Sequence, residues 1–213
     1  MRTLLAVCLM LCLLLSTVSA CAFDTLTFGS FEQDNDLTNG PEPITWLILD
    51  TQDSRMLLLS ESILEALHYH TKYNNSTNYA SSFIRTYLNE DFPLQAFTEE
   101  EKARILPVVN ENPSKKGYKS KGGEATEDLV FLLSFEELET YFPLKADRSA
   151  APTLYARAGG IRVKQGCSPW WLRTPGREQH HASCVTIDGG YYDYFDITCP
   201  TNGIRPAMWI TIE

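Results

Sequence analysis

Residues 184–197 read Cys-Val-Thr-Ile-Asp-Gly-Gly-Tyr-Tyr-Asp-Tyr-Phe-Asp-Ile and carry the strongest fold signal in the chain. The Asp-Gly-Gly at 188–190 accepts the positive φ angles of a tight turn, and the runs on both sides are rich in β-branched and aromatic residues. The pattern predicts a β-hairpin. Because side chains alternate along a strand, Tyr192 and Tyr194 should share one face of it.

Outward from this hairpin, the chain alternates short β-rich runs with short amphipathic segments. Strands are predicted over residues 26–28, 45–49, 56–59, 105–109, 129–133 and 204–212. Helices are predicted over residues 60–67 and 81–89, and capping boxes at Thr98/Glu101 and Ser134/Glu137 predict two further helix starts. No internal repeat or heptad interrupts the pattern. We therefore expect an α+β fold in which short helices flank a twisted, mainly antiparallel sheet.

The first 20 residues have the layout of a secretory signal peptide. Arg2 precedes an apolar run over residues 4–15, and small residues follow up to Ala20. The run is too short to span a bilayer, which takes about 20 apolar residues. We expect an extracytoplasmic protein, secreted or attached to the cell envelope, with one globular domain over residues 21–213. Cys21 follows a lipobox-like stretch, so lipidation of Cys21 and ordinary cleavage are both open.

The chain has a formal net charge of −9 at pH 7. Such a surface repels phosphate backbones and anionic headgroups, so nucleic acid is excluded as a partner and a lipid on Cys21 is the one expected membrane contact. The lysine-rich residues 115–121 lie among Gly and Ser. They are interpreted as a solvated loop, with a contribution to ligand binding as the alternative.

Three cysteines lie in the second half of the chain, at Cys167, Cys184 and Cys199. In an oxidising compartment they are candidates for a disulfide, and a pair among the three is expected. If Cys21 is lipidated, one of the three stays unpaired; if it is not, Cys21 can join them and two bridges in three connectivities are open. Zinc binding is a weaker interpretation because no Cys-x-x-Cys spacing is present.

Two groups of residues are candidate ligand contacts. Tyr191, Tyr192, Asp193 and Tyr194 combine aromatic faces with a carboxylate, an arrangement that suits a sugar, although an ordinary hairpin with one buried face would look the same. The second group has the aromatic and guanidinium chemistry of ligand contacts but is more typical of a locked core: it consists of Trp170, Trp171, Arg173 and Arg205.

Metal and catalytic interpretations have weaker support. Asp188, Asp193 and Asp196 could supply oxygen ligands to calcium, but their spacing fits no EF-hand loop. The histidine pairs His68/His70 and His180/His181 have no further ligand at a recognisable interval. A Gly-x-Ser-x-Gly elbow and a phosphate-binding loop are both missing from the sequence. We expect no metal, no cofactor and no catalytic residue.

A family resemblance rests on phrases that run in order along most of the chain. They are Phe-Gly-Ser at 28–30, Pro-Ile-Thr-Trp-Leu-Ile-Leu-Asp at 43–50, Leu-Leu-Leu-Ser at 57–60, Ile-Arg-Thr-Tyr-Leu-Asn at 84–89, Trp-Trp-Leu-Arg-Thr-Pro-Gly at 170–176 and Gly-Ile-Arg-Pro-Ala-Met-Trp-Ile at 203–210. The chain resembles the bacterial family called domain of unknown function 6273, which implies no particular activity. The closing phrases are also similar in layout to C-type-lectin-like domains and formylglycine-generating enzymes. Cys184 and Cys199 depart from the family pattern.

Together these features predict an exported binding module for a glycan, peptide or protein, with the residues around Tyr191–Tyr194 and the loop at 115–121 as contacts. The ligand would be extracellular, or an envelope protein. One alternative is an oxidoreductase of the formylglycine-generating type, which would need reactive cysteines or a metal. Another is a structural component of the envelope.

Overall fold

The computed structural model describes residues 23–73 and 76–212. The predicted signal peptide and Cys21 lie outside these residues. The strands are β1 (Thr25–Phe31), β2 (Glu42–Gln52), β3 (Arg55–Ser60), β4 (Glu65–Ala66), β5 (Ile105–Leu106), β6 (Val108–Asn110), β7 (Thr126–Asp128), β8 (Trp170–Pro175), β9 (His181–Val185), β10 (Tyr191–Asp196), β11 (Gly203–Ile204) and β12 (Ala207–Thr211). The helices are α1 (Phe83–Asn89), α2 (Asp91–Ala96), α3 (Glu99–Lys102), α4 (Phe135–Tyr141) and α5 (Leu154–Ala158).

The strands form two five-stranded sheets and one two-stranded sheet. The first sheet has the order β1-β2-β3-β12-β5 and is antiparallel throughout. The second has the order β10-β9-β8-β11-β4, in which only β11 and β8 run parallel. The third pairs β6 with β7. The mainly antiparallel sheet with short flanking helices is confirmed, and the described chain is a single, mostly β domain.

One hydrophobic core joins the sheets. Three tryptophans lie in it with no exposed surface, and each indole N–H donates to a backbone carbonyl: Trp46 to Phe28 at 2.7 Å, Trp170 to Arg148 at 3.0 Å and Trp171 to Leu67 at 2.8 Å. A buried indole N–H without an acceptor would be costly. The tryptophans thus fix the relative positions of segments that are far apart in the sequence.

The predicted hairpin is confirmed as β9 and β10, which pair antiparallel with Tyr192 opposite Cys184. Gly189 at its turn has a φ of 78°. A β-carbon there would lie 1.8 Å from the carbonyl oxygen of Lys145, so the turn packs too closely for any side chain.

Both predicted capping boxes are confirmed. The Thr98 hydroxyl accepts from the Glu101 N–H at 3.2 Å, and the Ser134 hydroxyl accepts from the Glu137 N–H at 3.1 Å. The carboxylates of Glu101 and Glu137 accept in return from the N–H groups of the two caps. These reciprocal bonds start α3 and α4.

The helix predicted over residues 60–67 is wrong. This segment is extended, and its N–H groups bond to distant parts of the chain: Ile63 to the Ala151 carbonyl at 2.9 Å, and Leu64 to the Ile204 carbonyl at 3.1 Å. The apolar residues of this segment are spaced like those of a helix because the extended segment is buried on two sides. The strand predicted over residues 129–133 is not formed: the chain bends at 129–130, and Phe131 makes an isolated bridge to Ala207.

The disulfide predicted among the three later cysteines is not formed. Cys167, Cys184 and Cys199 are free thiols. Cys184 is fully buried in β9, opposite Trp171 of β8, and the Cys199 sulfur contacts the Thr201 hydroxyl at 3.1 Å. The cysteine spacing in the sequence could not reveal that Cys184 faces the core.

The three thiols should differ in reactivity. Burial raises the pKa of the Cys184 thiol to about 12, so this thiol supplies almost no thiolate at pH 8. We expect iodoacetamide to label Cys184 at least about ten-fold more slowly than the half-buried Cys167 and Cys199 in the folded protein. Peptide mass mapping measures this, with urea-unfolded protein as the control. A linked peptide containing Cys184 would contradict the structure.

Candidate functional site

The loop at 115–121 packs against the hairpin. A joint role of these two elements in binding one ligand requires such contact. The Tyr118 hydroxyl donates to the Asp193 carboxylate, and the Lys115 ammonium donates to the Tyr191 hydroxyl at 3.3 Å. The backbone N–H of Lys119 donates to the carbonyl of Arg177 at 2.9 Å. These residues lie more than 50 positions apart in the sequence, so the contacts fix the loop to the sheet.

Lys115 is held in a cluster of aromatic rings. Its ammonium lies 4.1 Å from the centroid of Phe135, 4.5 Å from that of Tyr191 and 5.3 Å from that of Tyr118. A cation over ring faces is stabilised by the ring quadrupoles, by about 0.5 to 2 kcal/mol. Lys115 therefore joins the loop to β10 and to the first residue of α4.

Asp193 anchors the hairpin on the same face as Tyr191. Its carboxylate accepts from Tyr118 and from the Arg177 Nε, the latter at 3.1 Å. Burial raises the pKa of the Asp193 carboxyl, but these two hydrogen bonds outweigh it and hold the pKa below its usual value. Asp193 is therefore ionised at neutral pH and its charge is compensated.

Beside the contact between the loop at 115–121 and the hairpin, six rings form a continuous row, which we call the aromatic strip. Its members are Tyr73, His180, His181, Tyr194, Tyr192 and Phe195. Successive ring centroids are 5.1, 4.0, 5.2, 6.4 and 5.8 Å apart. The strip thus runs from the loop that contains Tyr73 across the turn before β9 to the edge strand β10.

The tyrosines of the strip are open to solvent. Tyr73 is 59% exposed, Tyr192 44% and Tyr194 43%, and the last two lie on the same side of β10, as the alternation predicts. The described chain has nine exposed large apolar side chains. All three tyrosines among these nine belong to the strip, so exposed aromatic surface is concentrated there.

Charged groups border the strip in pairs. The Arg177 guanidinium lies 5.1 Å from the centroid of the Tyr194 ring, and the ammonium of Lys119 is 3.1 Å from the Glu178 carboxylate. Burial and the neighbouring His180 lower the pKa of His181, so His181 is neutral at pH 7. The margin of the strip offers hydrogen-bond donors and acceptors beside uncharged ring faces.

Trp170, Trp171 and Arg173 lie beneath the surface. The two tryptophans belong to the core, where they cannot stack on a ligand. Arg173 is 7% exposed, and its guanidinium binds the Glu137 carboxylate and donates to the Leu132 carbonyl at 3.0 Å. Arg173 nevertheless lines a pocket together with Lys115 and Glu136, so its role as a ligand contact stays a prediction. Arg205 is buried too, and donates to the Ser60 carbonyl at 2.8 Å.

Ser183, Tyr191 and Lys115 form a hydrogen-bonded chain that resembles a nucleophile with its activating groups. Ser183 lies 2.7 Å from the Tyr191 hydroxyl, but it has no exposed surface and donates to the Pro175 carbonyl at 2.9 Å. Burial raises the pKa of Tyr191 well above its usual value, so Tyr191 stays protonated and cannot act as a base. The chain of contacts supports the hairpin.

Within the described residues, one group of three potential metal ligands lies close together, and it is in a different place from those predicted. Ligand atoms of Glu32, Asp34 and Glu42 lie within 4.8 Å of one another. Two of the three belong to the loop between β1 and β2, where a Glu42 oxygen already accepts from the N–H groups of Gln33 and Asp34 at 2.7 and 3.2 Å. These internal bonds are a sufficient reason for the cluster.

The calcium and zinc interpretations bring no ligands together. Asp188 pairs with Lys145 at 2.6 Å, and Asp196 accepts from the Thr198 hydroxyl at 2.6 Å. His68 Nδ1 lies 2.6 Å from the Thr198 carbonyl oxygen, while His70 Nδ1 accepts from the Phe83 N–H at 3.1 Å. Each group has a partner inside the protein.

Three residues of the strip are not predicted as ligand contacts from the sequence. Tyr73, His180 and His181 lie outside the hairpin, and only the fold places them in line with Tyr194. The adjacent histidines are visible in the sequence, where only a role as metal ligands is considered for them. Histidine shares with tyrosine a flat aromatic ring, and this shared ring face places both residue types in the strip.

Comparisons with known proteins give the chain a family. Among the described residues, no helix has the length and apolar character needed to cross a membrane. No curated protein and no solved structure shows significant similarity to the chain. The model of the family described as domain of unknown function (DUF6273) matches residues 53–212, which include β3 to β12. The chain therefore belongs to the family called domain of unknown function 6273.

Proposed function

We propose that the protein is an extracytoplasmic recognition module that binds a glycan on the aromatic strip. Sugar rings present flat C–H faces that stack on aromatic rings, and their hydroxyls bond to polar groups at the margin. The exposure of Tyr73, Tyr192 and Tyr194 in one row carries the proposal. Monomeric proteins seldom gather exposed aromatic surface without a binding role.

The contacts that fix β10 beneath the strip favour a binding role. Lys115, Tyr118 and Arg177 fix β10 through ring contacts and bonds to Tyr191 and Asp193. A ligand that lands on a surface fixed in advance loses less affinity to ordering of the protein. The strip is therefore suited to recognition by preformed shape.

Buried polar groups make catalysis the weaker candidate. Ser183 and the Cys184 thiol are enclosed, and Cys184 has a raised pKa. Among the described cysteines, only the half-buried Cys167 and Cys199 are left as the accessible thiols that an oxidoreductase of the formylglycine-generating type would use. A purely structural envelope component would not need an exposed aromatic strip. Binding is the function that accounts for this surface.

The proposal includes the location and the finer fold type. The leader at residues 1–20 favours export, with either a free N-terminus or a lipid on Cys21, and the intact mass of the processed protein distinguishes these two forms. The pairing of β8, β9 and β10, followed by the return of the chain through β11, favours a C-type-lectin-like arrangement. In such an arrangement the hairpin would be the ligand-facing element.

Replacing Tyr192 and Tyr194 by alanine should remove binding. Exposed aromatic contacts at the centre of an interface are worth about 2 kcal/mol or more, which corresponds to roughly a 30-fold loss of affinity. A glycan array of uronic-acid, sialic-acid, sulfated and neutral oligosaccharides, probed with wild type and with Tyr192→Ala plus Tyr194→Ala, measures the loss.

The matched control is Leu94→Ala plus Leu144→Ala, which truncates two exposed apolar side chains away from the strip. It should bind as wild type does. Equal binding by the tyrosine variant, or a wild-type protein that binds no glycan on the array, would refute the proposal. Binding to a peptide or protein with the same tyrosine dependence would keep the strip as a site but change the ligand.

A further inference from the structure

A pocket of about 270 Å3 opens where the aromatic strip ends at Phe195. Its apolar lining residues are Pro169, Ile187 and Phe195, and its charged lining residues are Arg162, Lys164 and Asp188. The volume is slightly below the range of about 300 to 1,000 Å3 that is common for small-molecule pockets. It therefore suits one ring or one charged group of a larger ligand.

The pocket has two cations without a counter-charge. Arg162 and Lys164 are exposed, and neither makes an ion pair with the residues that the structure describes. The one carboxylate at the pocket, Asp188, is already bound by the Lys145 ammonium and the Thr186 hydroxyl, both at 2.6 Å. These bonds hold the pKa of Asp188 well below its usual value. The pocket is thus locally positive on an acidic protein.

The wall that carries the cations is fixed by backbone bonds. Lys164 and Cys167 exchange two N–H to carbonyl bonds, at 3.0 and 3.1 Å, across a tight turn. The two residues of this turn, Gln165 and Gly166, have φ angles of 53° and 83°. The N–H of Arg162 donates to the Thr201 carbonyl at 3.0 Å. The backbone therefore fixes the positions from which both cationic side chains project beside the pocket.

Phe195 connects the pocket to the strip. Its ring contacts Tyr192 edge to face at a centroid distance of 5.8 Å, and it also lines the pocket. A sugar chain stacked on Tyr194 and Tyr192 can thus place its next unit at Arg162 and Lys164. A planar carboxylate is the anion that a guanidinium fork and an ammonium would bind there.

We infer that the pocket binds the carboxylate of an acidic sugar, so that the ligand of the strip is a carboxylated glycan such as one containing uronic or sialic acid. This inference rests on the proposed function. It goes further because it assigns the specificity for charge to Arg162 and Lys164, which lie outside the hairpin. Neutral glycans would retain only the stacking contacts.

The test compares carboxylated glycans with their methyl esters, which keep the ring faces and lose the charge. The array carries both forms, together with sulfated glycans. Wild-type protein should bind the acids about ten-fold more tightly than the esters, because charge-assisted hydrogen bonds to the carboxylate are lost in the ester. Arg162→Gln plus Lys164→Gln should bind both forms with the affinity of the ester.

The matched control is Arg55→Gln plus Arg157→Gln, which removes the same charge from exposed positions outside the pocket, the strip and the loop at 115–121. It should keep the ten-fold preference. Equal affinity of the wild type for acid and ester, with binding still dependent on Tyr192 and Tyr194, would overturn the pocket and leave the strip. Preference for sulfated glycans, or an unchanged preference in the Arg162/Lys164 variant, would also overturn it. No binding to any glycan would refute both proposals.

Discussion

Asp128→Ala should lower the free energy of unfolding by about 3 kcal/mol. Asp128 is 1% exposed, and its carboxylate accepts from the Arg85 Nε at 2.6 Å, the Asn110 amide at 2.8 Å and the Thr126 hydroxyl at 2.7 Å. Removing the carboxylate leaves these three donors without their acceptor. Breaking a buried pair costs about 3 to 5 kcal/mol, and the lower value applies because Arg85 is partly solvated.

Urea unfolding followed by circular dichroism measures the change. The control is Glu127→Ala, an exposed neighbour on the same strand, which should stay within about 0.5 kcal/mol of wild type. If both variants unfold at the same urea concentration, the network around Asp128 does not stabilise the protein. Because Asp128 joins α1 to the β6–β7 sheet, hydrogen exchange should also become faster in β7 of the Asp128 variant.

Arg173→Met should destabilise the protein by a similar amount, about 3 to 4 kcal/mol. The guanidinium binds both oxygens of Glu137 and the Leu132 carbonyl, so methionine leaves the Glu137 carboxylate without its counter-charge and the Leu132 carbonyl without this donor. Glu137 also accepts from the N–H of Ser134 at the start of α4. Loss of Arg173 should therefore increase hydrogen exchange in α4 before the whole domain unfolds.

Arg173→Lys tests the geometry. An ammonium cannot reproduce the fork of the guanidinium, so lysine should recover less than half of the lost stability. Arg157→Met, at an exposed position, is the matched control and should leave the urea midpoint unchanged. Full recovery by lysine would show that charge alone, without the bidentate contact, accounts for the effect of Arg173.

Local signals in the sequence predicted local structure correctly. The hairpin at Gly189 and the caps at Thr98 and Ser134 depend on neighbours a few residues away, and each is found as expected. The segment at 60–67 was mistaken for a helix because buried extended chain and amphipathic helix can show the same apolar spacing over eight residues. Its bonds to residues near 151 and 204 settle its conformation.

In the candidate site, too, features set by neighbouring residues were predicted and features set by distant contacts were not. The shared face of Tyr192 and Tyr194 followed from strand alternation, but their alignment with Tyr73 and His181 depends on contacts between distant parts of the chain. Likewise, the glycines around residues 115–121 predicted a solvated loop, whereas Lys115 is held among aromatic rings 76 residues from Tyr191. Sequence spacing carries no information about such pairs.

The position of β12 has a consequence for how the chain folds during synthesis. β12 lies between β3 and β5, and β11 just before it lies between β8 and β4, so each five-stranded sheet lacks an inner strand until residues 203–211 have left the ribosome. Earlier segments cannot close either sheet, and closure must pair residues as distant as Leu57 and Trp209. Such non-local pairing folds slowly, in milliseconds to seconds. Both sheets can therefore be completed only once residues 203–211 have been synthesised and are free to pair.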